Sequence, residues 1–327
     1  MCGIFGFTSL NEATRLMLPV LAIKMNERGR DSWGCTDGEG IFKSVGNIID
    51  GHKQIYNTWD NIDGIIFHTR GASPGSSITV ENAHPHRFFK ILESTDDYIK
   101  TRIVTGIHNG YLANHQELKN KYHEDRKNFD VDTKHIFKHI IEDMDTKEIK
   151  GVGAIVWFDT IAITYRKDPD NPKIISNVMN MAKFNSDNLY VCKLKQNKGF
   201  VFASTREAIE SAAKLAGVEI ETFFKTEENK RYAFGFDDDD ANLVNMKLMC
   251  YGDLEFGKRE VASSHSNFRH HAAGYVAAGN SRKAERKENH DKCPSCDTTI
   301  DPTTEALCSE CYSLWLEGRF SLLRGAV

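Results

Sequence analysis

Short apolar runs, rather than long helical stripes, dominate the first 236 residues of the chain. Runs rich in apolar and β-branched residues predict strands, and they lie at 3–8, 41–45, 64–68, 102–107, 189–194, 199–203, 219–225 and 230–236. Helical periodicity or helix-start signals occur at 12–27, at 114–122, from Asp132 or Thr133 onward and at 205–216. Because the two kinds of element do not alternate strictly, the pattern favours an α+β fold built in layers.

Three local signals sharpen this prediction. Asp159-Thr160 separates two strand-like runs, 154–158 and 161–165, and so predicts a β-hairpin. Asn114 is a candidate N-cap with Glu117 as its capping-box partner. The first helix is expected to close at Arg28-Gly29.

The composition changes after Phe236. Residues 237–240 are all aspartate, and 263–292 are rich in Ser, His, Ala, Lys, Arg and Asn with few large apolar groups. Such a stretch cannot bury enough apolar surface to fold alone, so it predicts a partly disordered linker. We therefore divide the chain into a domain over 2–236, a linker over 237–290 and a small C-terminal module over 291–327.

Charge and hydropathy exclude two broad classes of protein. The net charge of −4 is too small to indicate a polyanionic partner for the whole chain, and no apolar run approaches the roughly 20 residues that cross a bilayer. The amino terminus lacks the basic leader of a secretion signal. We expect a cytoplasmic protein whose cysteines are reduced.

The cysteine at position 2 has a specific chemical capacity. Removal of Met1 would leave Cys2 with a free α-amino group, which titrates near pH 7.7–8.0 in proteins. That amine can take the thiol proton, so Cys2 could serve as nucleophile and base together. By itself, a cysteine at this position could equally be incidental.

Seven segments of the chain resemble, in the same order, those of the class II glutamine amidotransferases, which use an N-terminal nucleophile. The likeness spans residues 2 to about 236 and is greatest to the glutaminase domain of the glucosamine-6-phosphate synthases. Each segment is a weak signal alone, whereas seven in order form a strong one. The segments are Cys2-Gly3-Ile4-Phe5-Gly6, Arg28-Gly29-Arg30-Asp31-Ser32-Trp33-Gly34, Phe67-His68-Thr69-Arg70, Asn82-Ala83-His84-Pro85-His86, His108-Asn109-Gly110-Tyr111-Leu112-Ala113-Asn114, Val131-Asp132-Thr133 and Phe202-Ala203-Ser204-Thr205-Arg206-Glu207.

The resemblance implies an N-terminal-nucleophile hydrolase fold, a four-layer αββα sandwich with two stacked antiparallel sheets. It also implies the roles of individual residues. Cys2 would be the nucleophile, and Asn109 with the Gly110 backbone would form the oxyanion hole. Arg70 would bind the α-carboxylate of glutamine and Asp132 its α-ammonium.

The resemblance gives some other residues of these segments supporting roles, and several of the residues named above also have a purely structural explanation. His84 is expected to line or support the substrate pocket, and Arg28 with Asp31 to buttress it. Arg70 with Asp132 could instead be a surface ion pair, and Asn109-Gly110 is also a common turn dipeptide. We expect no histidine to act as the base.

The chain departs from the glucosamine-6-phosphate synthases in one loop. After Arg70 it reads Gly71-Ala72-Ser73-Pro74-Gly75, where that family has a bulky Trp and a Thr-His pair. Ser73 is expected to keep a hydroxyl contact with substrate, while the glycines should make the loop more mobile.

Four cysteines near the C-terminus have the spacing of a metal site. Cys293 and Cys296 form one Cys-x-x-Cys pair, and Cys308 with Cys311 forms a second. Four thiolates can enclose Zn²⁺ tetrahedrally, which predicts a structural zinc ribbon with no open coordination position. Redox pairs are the alternative, and an iron–sulfur cluster fits the spacing less well.

The sequence thus predicts a glutaminase that hydrolyses glutamine without a cofactor. About 90 residues follow the predicted domain, too few for a synthase module, so ammonia would pass to an acceptor on a separate protein. The ribbon could recruit that partner; nucleic-acid contact through nearby lysines and arginines is less favoured. The alternatives are a non-catalytic binding protein on an inactive glutaminase fold and an amidohydrolase for another small amide.

Overall fold

A computed structural model of the chain describes residues 2–49, 64–72, 77–122, 131–185, 189–224, 226–236 and 246–257. The α-helices of this part are α1 Glu12–Asn26, α2 His115–Lys121, α3 Thr133–Ile141 and α4 Arg206–Leu215. The strands are β1 Gly3–Phe7, β2 Ser32–Thr36, β3 Ile41–Val45, β4 Ile65–Arg70, β5 His86–Ser94, β6 Tyr98–Leu112, β7 Gly151–Tyr165, β8 Asp168–Phe184, β9 Tyr190–Leu194, β10 Phe200–Ala203, β11 Ile220–Phe224, β12 Lys230–Phe236 and β13 Met246–Asp253. None of these helices is long and apolar enough to cross a membrane.

The strands form two antiparallel sheets. The seven-stranded sheet has the order β11-β9-β10-β1-β4-β2-β3, and the six-stranded sheet has the order β13-β12-β8-β7-β6-β5. Strand β1 is central in the first sheet, paired with β10 on one side and β4 on the other. The strand that begins next to Cys2 is therefore held on both edges.

One apolar core joins the facing sides of the two sheets. Ile4, Ile66 and Phe202 of the seven-stranded sheet pack with Val156 and Met181 of the six-stranded sheet, all fully buried. Removing a buried aromatic side chain such as that of Phe202 costs about 3–5 kcal/mol. The contact between sheets is therefore a major source of stability.

Helices cover the outer sides of both sheets. Helices α1 and α4 pack together against β1 and β10, whereas α3 packs against β5 and β6. Ile136 and Phe137 of α3 share a second core with Ile155, Trp157 and Phe184. The layer order is therefore αββα, and the predicted sandwich of two stacked antiparallel sheets is confirmed.

Helix α1 begins and ends as its sequence predicts. The Asn11 side chain accepts from the Thr14 backbone N–H at 3.2 Å, and the Thr14 hydroxyl accepts from the Asn11 N–H at 2.9 Å, which closes a capping box. At the other end, the Met25 carbonyl accepts a hydrogen bond of 2.7 Å from the Thr69 hydroxyl of β4. A Cβ at Gly3 would lie only 2.6 Å from that hydroxyl oxygen, so glycine is required where the helix end crosses β1.

The hairpin predicted at Asp159-Thr160 is wrong. Both residues lie inside β7, which runs unbroken to Tyr165, and the chain turns after it. The Asp159 carboxylate accepts from Arg102 Nε at 2.9 Å and Nη2 at 2.7 Å on β6, and the Thr160 hydroxyl donates to Asn177 on β8 at 2.7 Å. These turn-like residues are used to bond across neighbouring strands.

The capping box predicted at Asn114 also does not form. Asn114 precedes α2 as expected, but its side chain makes no cap hydrogen bond. Its Oδ1 accepts from the Lys150 N–H at 2.9 Å and its Nδ2 donates to the Glu148 carbonyl at 2.8 Å. Asn114 therefore ties α2 to the segment that enters β7.

The six-stranded sheet continues after residue 236, where the first predicted domain ends. Strand β13 pairs with β12 from Met246 to Asp253, and Phe256 stacks on Phe184 with ring centroids 3.9 Å apart. The fold of the first domain therefore includes 246–257. Most of the expected linker and the whole of the expected ribbon, 291–327, lie outside the described residues.

Candidate active site

The register of β1 and β4 brings Cys2 to Arg70. Gly3 lies opposite Thr69, so the residue before Gly3 meets the end of β4. Burial raises the pKa of the Cys2 thiol, whereas a hydrogen bond from the Gly71 backbone and the positive charge of Arg70 lower it, and the negative charge of Asp132 raises it. Cys2, Arg70 and Asp132 are therefore close enough to interact electrostatically.

The segment 28–31 holds the chain around Cys2. Arg28 Nε donates to the Cys2 carbonyl at 2.9 Å. Asp31 accepts from the Ala72 N–H at 2.7 Å and donates its own N–H to the Arg70 carbonyl at 3.0 Å. A Cβ at Gly29 would lie 2.4 Å from the Arg70 carbonyl carbon, so only glycine allows this approach. These contacts agree with the buttressing role predicted for Arg28 and Asp31.

Asn109 is connected to the beginning of β1 through a buried serine. Its Nδ2 donates to Ser204 Oγ at 3.2 Å, and the same oxygen accepts from the Ile4 N–H at 2.9 Å. The Ser204 N–H in turn donates to the Ile4 carbonyl at 2.8 Å. One N–H of the Asn109 amide is thus used to fix its orientation, which leaves the other N–H for a ligand.

Gly110 occupies a position that admits no side chain. A Cβ there would lie 2.0 Å from the Val152 carbonyl oxygen and 2.7 Å from His108 Nε2. Glycine therefore allows β6 and β7 to approach closely beside Asn109.

Asp132 lies at the N-cap of α3. Its Oδ1 accepts from the Thr133 N–H at 2.8 Å, and its Oδ2 accepts from the Leu112 N–H at 2.8 Å. The Thr133 hydroxyl also approaches Oδ1 at 3.5 Å, so of the roughly four acceptor positions of the carboxylate, the one left open is on Oδ2. The two backbone bonds fix the carboxylate between the end of β6 and the start of α3.

Four buried histidines lie between these segments, and they are His68, His84, His86 and His108. Burial is the largest cause lowering the pKa of every one of them, that of His68 to about 3. All four are therefore neutral at pH 7.

These four histidines contact one another and the neighbouring segments. His68 Nε2 lies 3.0 Å from the His108 carbonyl oxygen and must be its donor, and His108 Nδ1 lies 3.0 Å from the Thr133 hydroxyl. The His84 ring lies between those of His68 and His86, with centroids 4.0 and 4.7 Å away. His84 is almost fully buried, with 3% of its surface exposed.

Arg70 is held from the other side by the segment that follows the altered loop. Its Nη1 donates to the Ser77 carbonyl at 3.2 Å, and the Ser77 hydroxyl accepts from Asn82 Nδ2 at 2.7 Å.

Ser73, the predicted substrate contact in this loop, lies outside the described residues, as do Cys293, Cys296, Cys308 and Cys311. In the described ranges, no group of three or more His, Cys, Asp or Glu could hold a metal ion.

Ser204 is a site residue to which the sequence assigned no role, and Gly71, expected only to make its loop more mobile, forms a backbone hydrogen bond with Cys2. The partners of Ser204 lie 200 and 95 positions away along the chain, so no local pattern could reveal them. The one local indication that Ser204 has a special position is that it lies between the end of β10 and Thr205, the N-cap of α4.

Several curated proteins are similar to this chain in sequence. The glutamine–fructose-6-phosphate aminotransferase (isomerizing) of Staphylococcus epidermidis is 36% identical over 129 residues, 38% of this chain and 19% of that protein. The enzyme of the same name from Methanococcus maripaludis is 28% identical over 176 residues, 51% of this chain and 26% of that protein. That from Bacillus licheniformis is 31% identical over 192 residues, 52% of this chain and 30% of that protein. The matched region spans about a fifth to a third of the relatives' length.

Two solved structures are also similar. One, described as the allosteric regulatory enzyme of purine biosynthesis, has a TM-score of 0.48 and 18% identity, covering 76% of this chain and 49% of that one. The glutamine phosphoribosylpyrophosphate amidotransferase of B. subtilis has a TM-score of 0.45 and 19% identity with the same coverage. No family model matches the chain.

Proposed function

We propose that this chain, a homologue of the class II glutamine amidotransferases, hydrolyses L-glutamine to L-glutamate and ammonia through a thioester on Cys2. Two observations support the proposal: the charges of Arg70 and Asp132 both act on the Cys2 thiol, and Asn109 is bonded through Ser204 to Ile4, two residues after Cys2. A site with a nucleophile and an amide donor can act on a side-chain amide, and a cation and an anion beside them can bind the α-carboxylate and α-ammonium of a free amino acid.

The chemistry follows from the state of Cys2. Because burial raises the pKa of its thiol, the neutral form prevails and a base is needed. After removal of Met1, the Cys2 amine would accept the proton and return it to the leaving nitrogen. The sulfur attacks the amide carbon, the C–N bond breaks and ammonia leaves. Water then cleaves the thioester to glutamate, and the thiol is restored.

Two donors would stabilise the oxyanion of each tetrahedral intermediate. We assign these to the free N–H of the Asn109 amide and the Gly110 backbone N–H. The bond from Asn109 to Ser204 supports this role, because a donor that is fixed beforehand does not need to reorganise during the reaction.

Arg70 and Asp132 would recognise the amino-acid end of the substrate. The guanidinium can form two parallel bonds to the α-carboxylate, and the Asp132 carboxylate can accept the α-ammonium. His84 would support this pocket through its neighbouring histidines, and Ser73 is proposed as a contact from the loop. Such a pocket would favour glutamine over a peptide amide.

Arg70→Lys is expected to raise the KM for glutamine by about 10- to 100-fold, because lysine keeps the charge but loses the bidentate geometry. The change in kcat should be smaller. Steady-state glutaminase kinetics measure both, and Arg166→Lys, at an exposed turn, is the matched control. An unchanged KM would remove Arg70 from substrate recognition.

Ser204→Ala is expected to lower kcat by about tenfold with little change in KM, since the amide of Asn109 would lose the acceptor that orients it. Ser204→Thr restores a hydroxyl and should recover part of kcat if the fold accepts the extra methyl group. A purely structural role would instead lower the melting temperature and leave kcat per folded molecule unchanged.

Ammonia is proposed to pass to an acceptor on a separate synthase. The cysteine pairs 293–296 and 308–311 are proposed to bind a structural Zn²⁺, and the resulting ribbon to dock that partner. The free thiol of Cys2 suits a reducing compartment such as the cytoplasm.

Intact-mass spectrometry before and after a glutamine-like diazo-ketone tests the proposal. We expect loss of Met1, one adduct on Cys2 and protection by excess glutamine, together with glutamate release. A mature Cys2 that ignores the analogue would favour a binding protein. An adduct without glutaminase activity would favour an amidohydrolase of another small amide.

A further inference from the structure

A separate cavity opens on the outer side of the six-stranded sheet. Its volume is about 350 Å³, at the lower end of the range for small-molecule sites. Arg102, Trp157 and Arg231, from β6, β7 and β12, line its sheet side. The chain after α3, residues 143–147, and the chain at the end of β13, residues 253–255, line the other sides.

Most charged groups around this cavity are already paired. Arg102 binds Asp143 and Asp159, each at 2.7 Å. Lys147 pairs with Glu255 at 2.8 Å and Asp253 with Lys230 at 2.5 Å, while the exposed Asp145 carboxylate accepts from the Lys147 N–H at 3.0 Å. Their charges are therefore largely compensated within the protein.

Arg231 differs from these groups. Its Nε donates to Asn180 Oδ1 at 3.0 Å, and its guanidinium carbon lies 5.7 Å from the centre of the Trp157 ring. Among the described residues, no carboxylate lies within salt-bridge distance of Arg231, and no acceptor bonds its two Nη atoms. Burial lowers the pKa of Arg231, and the more distant Asp159 carboxylate raises it. Partial burial of a guanidinium without an adjacent anion costs solvation free energy, and an anionic ligand on the Nη atoms would offset that cost.

The remaining surface of the cavity is partly apolar. Ile140, Met144 and Leu254 contribute aliphatic groups, and Trp157 contributes an aromatic ring. A ligand that satisfies both parts of the lining needs an anionic end for Arg231 and an apolar body for these side chains.

We propose that this cavity binds a small organic anion, with its carboxylate or phosphate group on the Nη atoms of Arg231 and its apolar body against Met144 and Leu254. The site is distinct from the one around Cys2 and goes beyond glutamine hydrolysis. The fixed Nε bond to Asn180 presents the two Nη donors as a fork, the geometry that both anions accept.

Isothermal titration of the full-length protein with phenyl phosphate, with benzoate and with neutral benzyl alcohol tests the inference. Saturable one-to-one binding of at least one anion, but not of the alcohol, is expected, and the stronger anion distinguishes phosphate from carboxylate. Binding should be unchanged in excess glutamine. No saturable binding of either anion, or competition by glutamine, would overturn the inference.

Arg231→Met should weaken the binding at least about tenfold, because it removes the charge and keeps the aliphatic stem. Arg166→Met removes the same charge from an exposed turn and should leave binding intact. If Arg231→Met does not fold, Met144→Trp provides a second test, since it should fill the cavity and abolish binding. Equal affinity in the wild type and a folded variant at either position would refute the assignment.

Discussion

Cys2→Ala is expected to lower kcat/KM for glutamine hydrolysis by about 10³- to 10⁶-fold, the range for loss of a nucleophile that acts with its own base. No other described group is placed to replace it, because the four neighbouring histidines are buried and their lowered pKa makes each of them a weak base. The variant should still bind glutamine, since Arg70 and Asp132 remain. Coupled detection of glutamate measures the rate, and calorimetry measures the binding.

Cys250→Ser is the matched control. Cys250 is the exposed free cysteine on β13, in the other sheet, so its loss should change neither rate nor adduct formation. Cys2→Ser should keep the terminal amine but offer a weaker nucleophile. Glutaminase activity retained in Cys2→Ala would show that the thiol is not the nucleophile.

Asn109→Ala is expected to lower kcat by about 10²- to 10³-fold, which corresponds to about 2.7–4 kcal/mol for one oxyanion donor. KM should change by less than about threefold, because the oxyanion exists only after attack on the substrate. Steady-state kinetics separate the two constants, and circular dichroism verifies the fold.

Asn177→Ala provides the control for loss of a structural amide. Asn177 lies on β8 of the same sheet, and its Nδ2 donates to the Asp37 carbonyl at 2.8 Å. Its replacement should lower thermal stability while kcat stays near that of the wild type. If Asn109→Ala behaves in the same way, Asn109 is a structural residue.

Much of the candidate site could be predicted because its residues belong to short segments with unusual combinations of side chains. One such segment contains Arg28, Gly29 and Asp31. Each of these residues bonds or closely approaches either Cys2 or the chain at Arg70 to Ala72. Apolar periodicity likewise located α1, α3 and most short strands. These features are local, so the sequence carries them directly.

Features that depend on distant partners could not be predicted. Asp159-Thr160 has the composition of a turn, but Arg102 and Asn177 on neighbouring strands bond both side chains, and β7 continues through them. Asn114 has the composition of a cap, but its amide is used by the chain at 148–150. In each case a tertiary hydrogen bond overrode a local preference.

Ser204 has a consequence for how this protein can be altered. Its single hydroxyl oxygen connects Ile4 of one sheet to Asn109 of the other, so the proposed nucleophile and the proposed oxyanion donor belong to different halves of the sandwich. Catalytic alignment is then a property of the sandwich as a whole. Neither sheet could be transplanted alone with a working site. A redesigned core that let the sheets slide by about 1 Å would lower the rate on the order of 100-fold in a protein that is still folded.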